Sequence, residues 1–163
     1  MKTVIKAVNK IKAHALNTRL FKQLCNENDE AFERLLFHTE VRWLSKGNCL
    51  AQFYSSLDTV VEFLPSCDPG LAKEIIAVKN DIAYLSDIFA KFSELNLSLQ
   101  GNEVNLIKVK SALSGFKNKL VLYQRNLARR EFFLFSSLQQ LIQATRAFLM
   151  LMLKRTASIL SNC

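Results

Sequence analysis

Two apolar stripes with heptad spacing constrain the fold more than any other feature of this sequence. The first contains Leu71, Ile75, Val78, Ile82, Leu85, Phe89 and Phe92, and the second contains Leu106, Val109, Leu113, Phe116, Leu120, Tyr123 and Leu127. Alternating steps of three and four residues place these side chains on one face of a helix. Between the stripes, Gly101 suits the residue that follows a helix, and Asn102 suits an N-cap. We therefore predict a long antiparallel helical hairpin with arms at 71–99 and 103–130.

The remaining sequence also favours helices. Val4, Val8 and Ile11 share a face of a predicted helix at 3–24, and a further helix is predicted at 136–153. Residues 39–44 are β-branched and aromatic in character and are predicted to be extended. Ser45 is the predicted N-cap of a helix at 46–64, which Pro65 ends. With only 4 glycines and 2 prolines among 163 residues, the chain lacks the turns of an all-β protein. The expected fold class is an all-α helical bundle.

Charge is distributed unevenly over the two predicted arms. The net charge is +8, which is typical of a protein with an anionic partner such as nucleic acid. The first arm mixes lysines with acids, whereas residues 104–130 contain no acid at all. The basic residues of the second arm are Lys108, Lys110, Lys117, Lys119, Arg125, Arg129 and Arg130. This one-sign arm indicates contact with DNA or RNA. The alternatives are an acidic protein surface or a solvated basic face.

Arg42 and Trp43 form a second candidate nucleic-acid site. Trp43 is the only tryptophan of the chain, and an indole beside a guanidinium can stack on a base and hold a phosphate. The alternative is that Trp43 anchors the core and Arg42 is solvated.

The motifs of catalysis and metal binding are missing from the sequence. Cys25, Cys49, Cys67 and Cys163 form no C-x-x-C pair, and the two histidines complete no zinc-like spacing. No phosphate-binding loop or nucleophile motif occurs. We therefore expect no enzyme activity, metal, cofactor or small-molecule substrate, and we expect reduced thiols in an intracellular protein. The apolar run at 148–153 is too short to cross a bilayer, so no membrane association is expected.

Three stretches together resemble the hAT superfamily of DNA transposases. They run from Val4-Ile5-Lys6 to Phe21, from Leu36 through Arg42-Trp43 to Gly47, and from Asn80-Asp81-Ile82 to Gly101. The resemblance covers about residues 4–135. It is strongest to the branch that gave rise to domesticated cellular proteins with BED fingers and SCAN domains.

The resemblance implies a fold and a domain division. In that superfamily an RNase H-like catalytic domain is interrupted by a large helical insertion, and three acids hold two metal ions. It implies that residues 1–45 are a remnant of the RNase H-like region, 46–153 the helical insertion and 154–163 a tail. It also implies that Trp43 holds a flipped base or stabilises hairpin DNA.

Departures from the superfamily lead to the functional expectation. Its two aspartates are expected upstream of residue 1, and its glutamate lies beyond the insertion. We therefore expect a catalytically inactive hAT-derived fragment that binds DNA, in the nucleus in preference to the cytoplasm. Two alternatives stay open. One is a helical domain that binds a protein partner or itself through the heptad stripes; the other is a transposon relic without a selected function.

Overall fold

The computed structural model describes residues 1–28, 43–100 and 105–147, and no side chain of 43–46 is described. This part of the chain contains helices and no strand, which confirms the all-α class. The helices are α1 (Lys2–Lys12), α2 (Ala15–Glu27), α3 (Trp43–Ser55), α4 (Leu57–Phe63), a 3-10 turn (Leu64–Ser66), α5 (Pro69–Ala77), α6 (Lys79–Ser98), α7 (Leu106–Ala128) and α8 (136–147).

One core joins α1 to α6. Its largest fully buried side chains include Phe21 of α2, Phe53 of α3 and Ile75 of α5. The rings of Phe21 and Phe63 meet edge to face at 5.5 Å. Helices α3 and α6 pack closely at Gly47, where an added Cβ would lie in van der Waals contact with Cβ of Phe89, at 3.4 Å.

The predicted helix at 3–24 is two helices. His14 is extended (φ −127°, ψ 134°) and precedes α2. Asn17 donates its side-chain amide to the carbonyl of Lys10 at 3.3 Å, and the Thr18 hydroxyl donates to Ile11 O at 3.2 Å. These side chains occupy carbonyls at the end of α1 that would otherwise accept from the next helical turn, so the chain turns there.

The predicted helix at 46–64 starts earlier than expected and is divided in two. The structure already has Trp43 and Leu44 in α3, so Ser45 is not an N-cap and 43–44 is not extended. The helix then breaks at Ser56 (φ −109°, ψ 24°). Ser55 donates its hydroxyl to the carbonyl of Gln52 at 2.9 Å, a local bond that competes with helix continuation. Pro65 lies inside the 3-10 turn, two residues after the end of α4.

The predicted first arm at 71–99 divides at Val78 (φ −104°, ψ 11°) into α5 and α6. This break lets α5 pack on α1 while α6 lies along α3. The start of α5 agrees with the sequence: Pro69 opens the helix, and Asp68 accepts from the backbone N–H of Leu71 at 3.0 Å.

The second arm starts later than predicted. Asn105, rather than Asn102, caps α7, and its side-chain oxygen accepts from the N–H of Lys108 at 2.9 Å. Gly101 and Asn102 lie outside the described residues. The arm packs on α6 through Phe116, whose ring lies 5.2 Å from that of Phe92. A second, smaller cluster around Phe135 and Leu138 then holds the end of α7 and α8 against α6. The predicted helix at 136–153 is observed over 136–147, and its last six residues lie outside the described part.

Candidate nucleic-acid interface

The basic residues of α7 form an exposed surface. Lys108, Lys110, Lys117, Lys119 and Arg125 are all exposed, and the helix contains no acid. Lys110, Lys117, Lys119 and Arg125 form no ion pair with any residue that the structure describes. The charge of these four side chains is therefore directed to solvent.

The basic residues surround α7 and do not share one face. At about 100° per residue, Lys108 and Lys119 lie on one flank of the surface that contacts α6. Lys110 and Lys117 lie on the opposite flank, and Arg125 points away from α6. The exposed side of the helix is thus positive along both edges.

A cleft of about 290 Å³ separates α6 from α7 on the Lys119 side. Lys91 and Glu94 of α6 line this cleft opposite Gly115 and Lys119. The ammonium of Lys91 lies 5.0 Å from the ring centroid of Tyr123 and 5.6 Å from that of Phe135. Burial, with a contribution from Glu94, raises the pKa of the Tyr123 phenol.

Arg129 and Arg130 end α7 in a Schellman turn. The N–H of Arg130 donates to Leu127 O at 3.0 Å, and that of Glu131 donates to Asn126 O at 2.8 Å. Arg130 has a φ of 59°, a left-handed conformation in which glycine is the usual residue. Its side chain lines a cleft of about 500 Å³ with Phe132, Ile142 and Arg146.

Asp87 fixes this end of the molecule. It is buried, and its carboxylate accepts from the Ser136 hydroxyl at 3.3 Å and from the N–H groups of Ser137 and Leu138 at 3.1 Å each. Tyr54 donates its hydroxyl to Ser137 O at 2.7 Å. An acid on α6 thus caps the N-terminus of α8, where the helix dipole favours a negative charge.

Sequence reasoning missed Lys91, Arg146 and Asp87. Asp87 had a detectable signal, because it is an acid between the apolar stripe positions Leu85 and Phe89. Lys91 and Arg146 had none, because their neighbours come from other helices.

The structure describes only part of the candidate site formed by Arg42 and Trp43. Trp43 is the first residue of α3. Arg42 and the indole of Trp43 lie outside the described structure, so their relation to α7 stays a prediction.

No group of three or more His, Cys, Asp or Glu that could hold a metal ion occurs in the described ranges. Cys25 and Cys49 are buried and Cys67 is half-buried, and none of the three forms a disulfide within the described residues. Burial raises the pKa of the Cys49 thiol, although Lys12 partly offsets this effect. A raised pKa keeps a thiol protonated and weakly nucleophilic.

Within the residues that the structure describes, no helix is long and apolar enough to cross a membrane.

Comparison with known proteins places this helical chain in a family. No solved structure matches it. The General transcription factor II-I repeat domain-containing protein 2 of Bos taurus is 33% identical over 142 residues, which is 85% of this chain. The chain spans only 15% of the length of that relative. The FAM200/GTF2IRD2 helical domain matches residues 1–128, from α1 to the last residue of α7. The chain therefore belongs to the FAM200/GTF2IRD2-like helical-domain family.

Proposed function

We propose that this chain is a non-catalytic, hAT-transposase-derived helical module that binds DNA in the nucleus. The order of the three hAT-like stretches supports this descent, and the name of the bovine relative, a general transcription factor repeat protein, agrees with a role on DNA. The proposal assigns DNA contact to the surface of α7 and assigns no metal chemistry to the chain.

The exposed charge of α7 carries the proposal. Five cations on one helix, together with Arg129 and Arg130 directly after it, face solvent without an acid among them. Each cation that neutralises a phosphate releases counterions, and this release supplies most of the affinity of non-specific binding.

The arrangement of the charges suits a groove of duplex DNA. The major groove is about 12 Å wide and admits one helix. Lys110 and Lys117 on one edge and Lys108 and Lys119 on the other would reach the phosphates of the two strands. Between these edges, exposed Ser111, Ser114, Asn118 and Arg125 would face the base edges; such side chains donate and accept hydrogen bonds there.

Trp43 and Arg42 are proposed as a second contact. A base stacked on the indole contributes about 1–3 kcal/mol. Because Trp43 is the only tryptophan, its fluorescence reports contact at this position alone.

Charge reversal on α7 tests the DNA-binding surface. We expect Lys117→Glu with Lys119→Glu to weaken duplex binding at least tenfold and to lower the slope of log K against log salt by about 2, one for each lost phosphate contact. The measurement is a titration of the full chain with duplex, hairpin and single-stranded DNA at several salt concentrations, followed by Trp43 fluorescence and by DNA anisotropy.

The control changes the same net charge elsewhere. Lys2→Glu with Lys73→Glu alters exposed residues of α1 and α5 and should leave the slope within about half a unit of the parent. Equal losses of DNA affinity in both double variants would show that only the net charge of the chain matters. Unchanged DNA affinity after charge reversal at Lys117 and Lys119 would show that α7 is not the DNA-binding surface. Anisotropy without a change in fluorescence would remove only the stacking role of Trp43.

A further inference from the structure

A ladder of three leucines on α7 is exposed although its spacing predicts burial. Leu106, Leu113 and Leu120 recur every seven residues, and their exposed fractions are 82%, 48% and 38%. Two helical turns, about 10 Å, separate successive members. Contiguous exposed apolar surface of this kind marks interaction sites in soluble proteins.

The leucine ladder is less covered than the residues of α7 that face α6. The contact with α6 is made by the alternate positions of the stripe, where Val109, Phe116 and Tyr123 are half-buried. In heptad terms α7 turns its d positions toward α6 and leaves its first three a positions, the leucine ladder, largely exposed, whereas the last a residue, Leu127, packs in the second cluster. A helix with one seam used and an adjacent seam free has the geometry of a bundle that lacks a neighbour.

The charges beside the leucine ladder indicate which kind of helix would pack on it. Lys110 follows Leu106 by four residues, and Lys117 follows Leu113 by four, so each lysine borders the ladder at an e position. In helical bundles these positions pair with charges of opposite sign on the partner. We propose that the leucine ladder docks an amphipathic helix of a partner protein that carries acidic residues along its apolar stripe.

A second copy of this chain fits the ladder less well. Pairing two α7 helices along their ladders would bring the lysines at positions 110 and 117 of both copies to one seam. No acid in α7 is available to offset that repulsion, and like charges across a helix pair are destabilising.

DNA does not account for the leucines either. Phosphates and bases bind the cations of α7, whereas an apolar ladder gains by leaving water against another apolar surface. The ladder and the basic edges are therefore separable by mutation, and this inference does not depend on the proposed function.

The test uses a designed probe with the full chain. The probe is a fluorescein-labelled helical peptide of about 21 residues, with leucine at a and d and glutamate at e and g. A second peptide replaces the glutamates by lysine. We expect the acidic peptide to bind in the micromolar range and the basic peptide to bind at least tenfold more weakly.

Two matched double variants locate the site. The ladder variant, Leu106→Gln with Leu113→Gln, replaces two apolar side chains of the ladder by polar ones. The control variant, Ile107→Gln with Leu122→Gln, makes the same change at residues of similar exposure, 80% and 46%, on other faces of α7. The ladder variant should lose at least tenfold in peptide affinity and keep its DNA affinity. The control variant should change peptide affinity less than twofold. Circular dichroism and urea unfolding establish that both variants are folded.

Three outcomes would overturn the inference: no binding of the acidic peptide to the parent chain, equal losses in the two double variants, or equal binding of the acidic and basic peptides. Sedimentation of the parent chain gives a fourth. A dimer that the ladder variant dissociates would show that a second copy occupies the leucines.

Discussion

At the scale of single residues, the sequence predicts which type of residue caps a helix better than it predicts which residue number does so. A capping asparagine was expected at the start of α7, and one is there, but it is Asn105 and not Asn102. Several asparagines near a helix start suit the same role, and only the geometry of the preceding turn selects among them. Arg130 is the opposite case. Nothing in its sequence neighbourhood indicates a left-handed residue, because glycine, the usual signal, is absent.

Arg130 allows a direct test of this interpretation. Arg130→Gly should raise the free energy of unfolding by about 0.5–1 kcal/mol, since glycine adopts a φ of 59° without the Cβ clash. It should also lower the salt slope of DNA binding by about 1 under the proposed function. Urea unfolding and a salt titration of DNA binding measure the two effects.

The neighbouring residue is the control for Arg130. Arg129 has ordinary right-handed geometry (φ −86°, ψ 0°), so Arg129→Gly should give no gain in stability, and a small loss is expected. If both glycine variants are destabilised alike, the left-handed conformation of Arg130 costs nothing and the interpretation of the turn is wrong.

At the scale of helices, heptad spacing predicted correctly which residues share a face of a helix. It did not predict correctly which of these faces pack against another helix. Periodicity states which residues lie on one side of a helix, but it does not state what lies opposite. The stripe of α5 and α6 packs on α1 and α3, whereas three of the seven stripe residues of α7 are exposed. Helix breaks at residues 13–14, 56 and 78 were missed because side-chain bonds and packing, rather than proline or glycine, produce them.

Hydrogen exchange distinguishes well-covered from poorly covered helices. A helix at the start of the chain would be loosely held if it had no packing partners. In the structure α1 packs on later helices, and Val4, Ala7, Val8 and Ile11 are at most 1% exposed. We expect amides of 5–12 to exchange at least a hundredfold more slowly than those of 107–115, because opening α1 uncovers the core.

Mass spectrometry of peptic fragments after timed exchange measures this difference. Peptides from α3 provide the reference for core protection. Rapid exchange in α1, comparable with that of α7, would contradict the observed core.

At the scale of the whole molecule, the charge of the surface can be predicted from the sequence, whereas the packing of the core cannot. The charge asymmetry of α7 is a property of the sequence and is retained in the structure. The packing of α1 and α2 with α3–α6 in a single core could not be predicted, because contacts between residues far apart in the sequence produce no periodic pattern. For the same reason the clefts lined by Lys91 and Arg146 could not be predicted.

Buried thiols and phenols make global stability sensitive to alkaline pH. Burial raises the pKa of Cys49 and Cys67 above the ordinary 9.0 and that of Tyr54 above the ordinary 10.0. The folded chain therefore holds these protons more tightly than the unfolded chain. Their contribution to stability is complete below pH 9 and is lost as the pH rises through the folded-state values. We expect the urea midpoint to decrease as the pH rises above 9.

Tyr54→Phe separates this effect from the change in net charge. The variant loses the bond to Ser137 O and should be less stable at pH 8. Its stability should decline less steeply above pH 10, because one group with a raised pKa is gone. A decline as steep as that of the parent at high salt would assign the alkaline loss to other groups.

The capping of α8 by Asp87 has a consequence for where this folding unit ends. The family match stops at residue 128, yet the donors to Asp87 come from residues 136–138, and Phe135 is fully buried beside them. A chain cut at the family boundary would remove the donors to Asp87 and expose its carboxylate to water, so that α6 would lose its hydrogen-bonded link to α8. It would also expose the aromatic surface that holds the end of α7. We therefore expect the autonomous folding unit of this family member to extend beyond the segment that matches the family, through the first turn of α8.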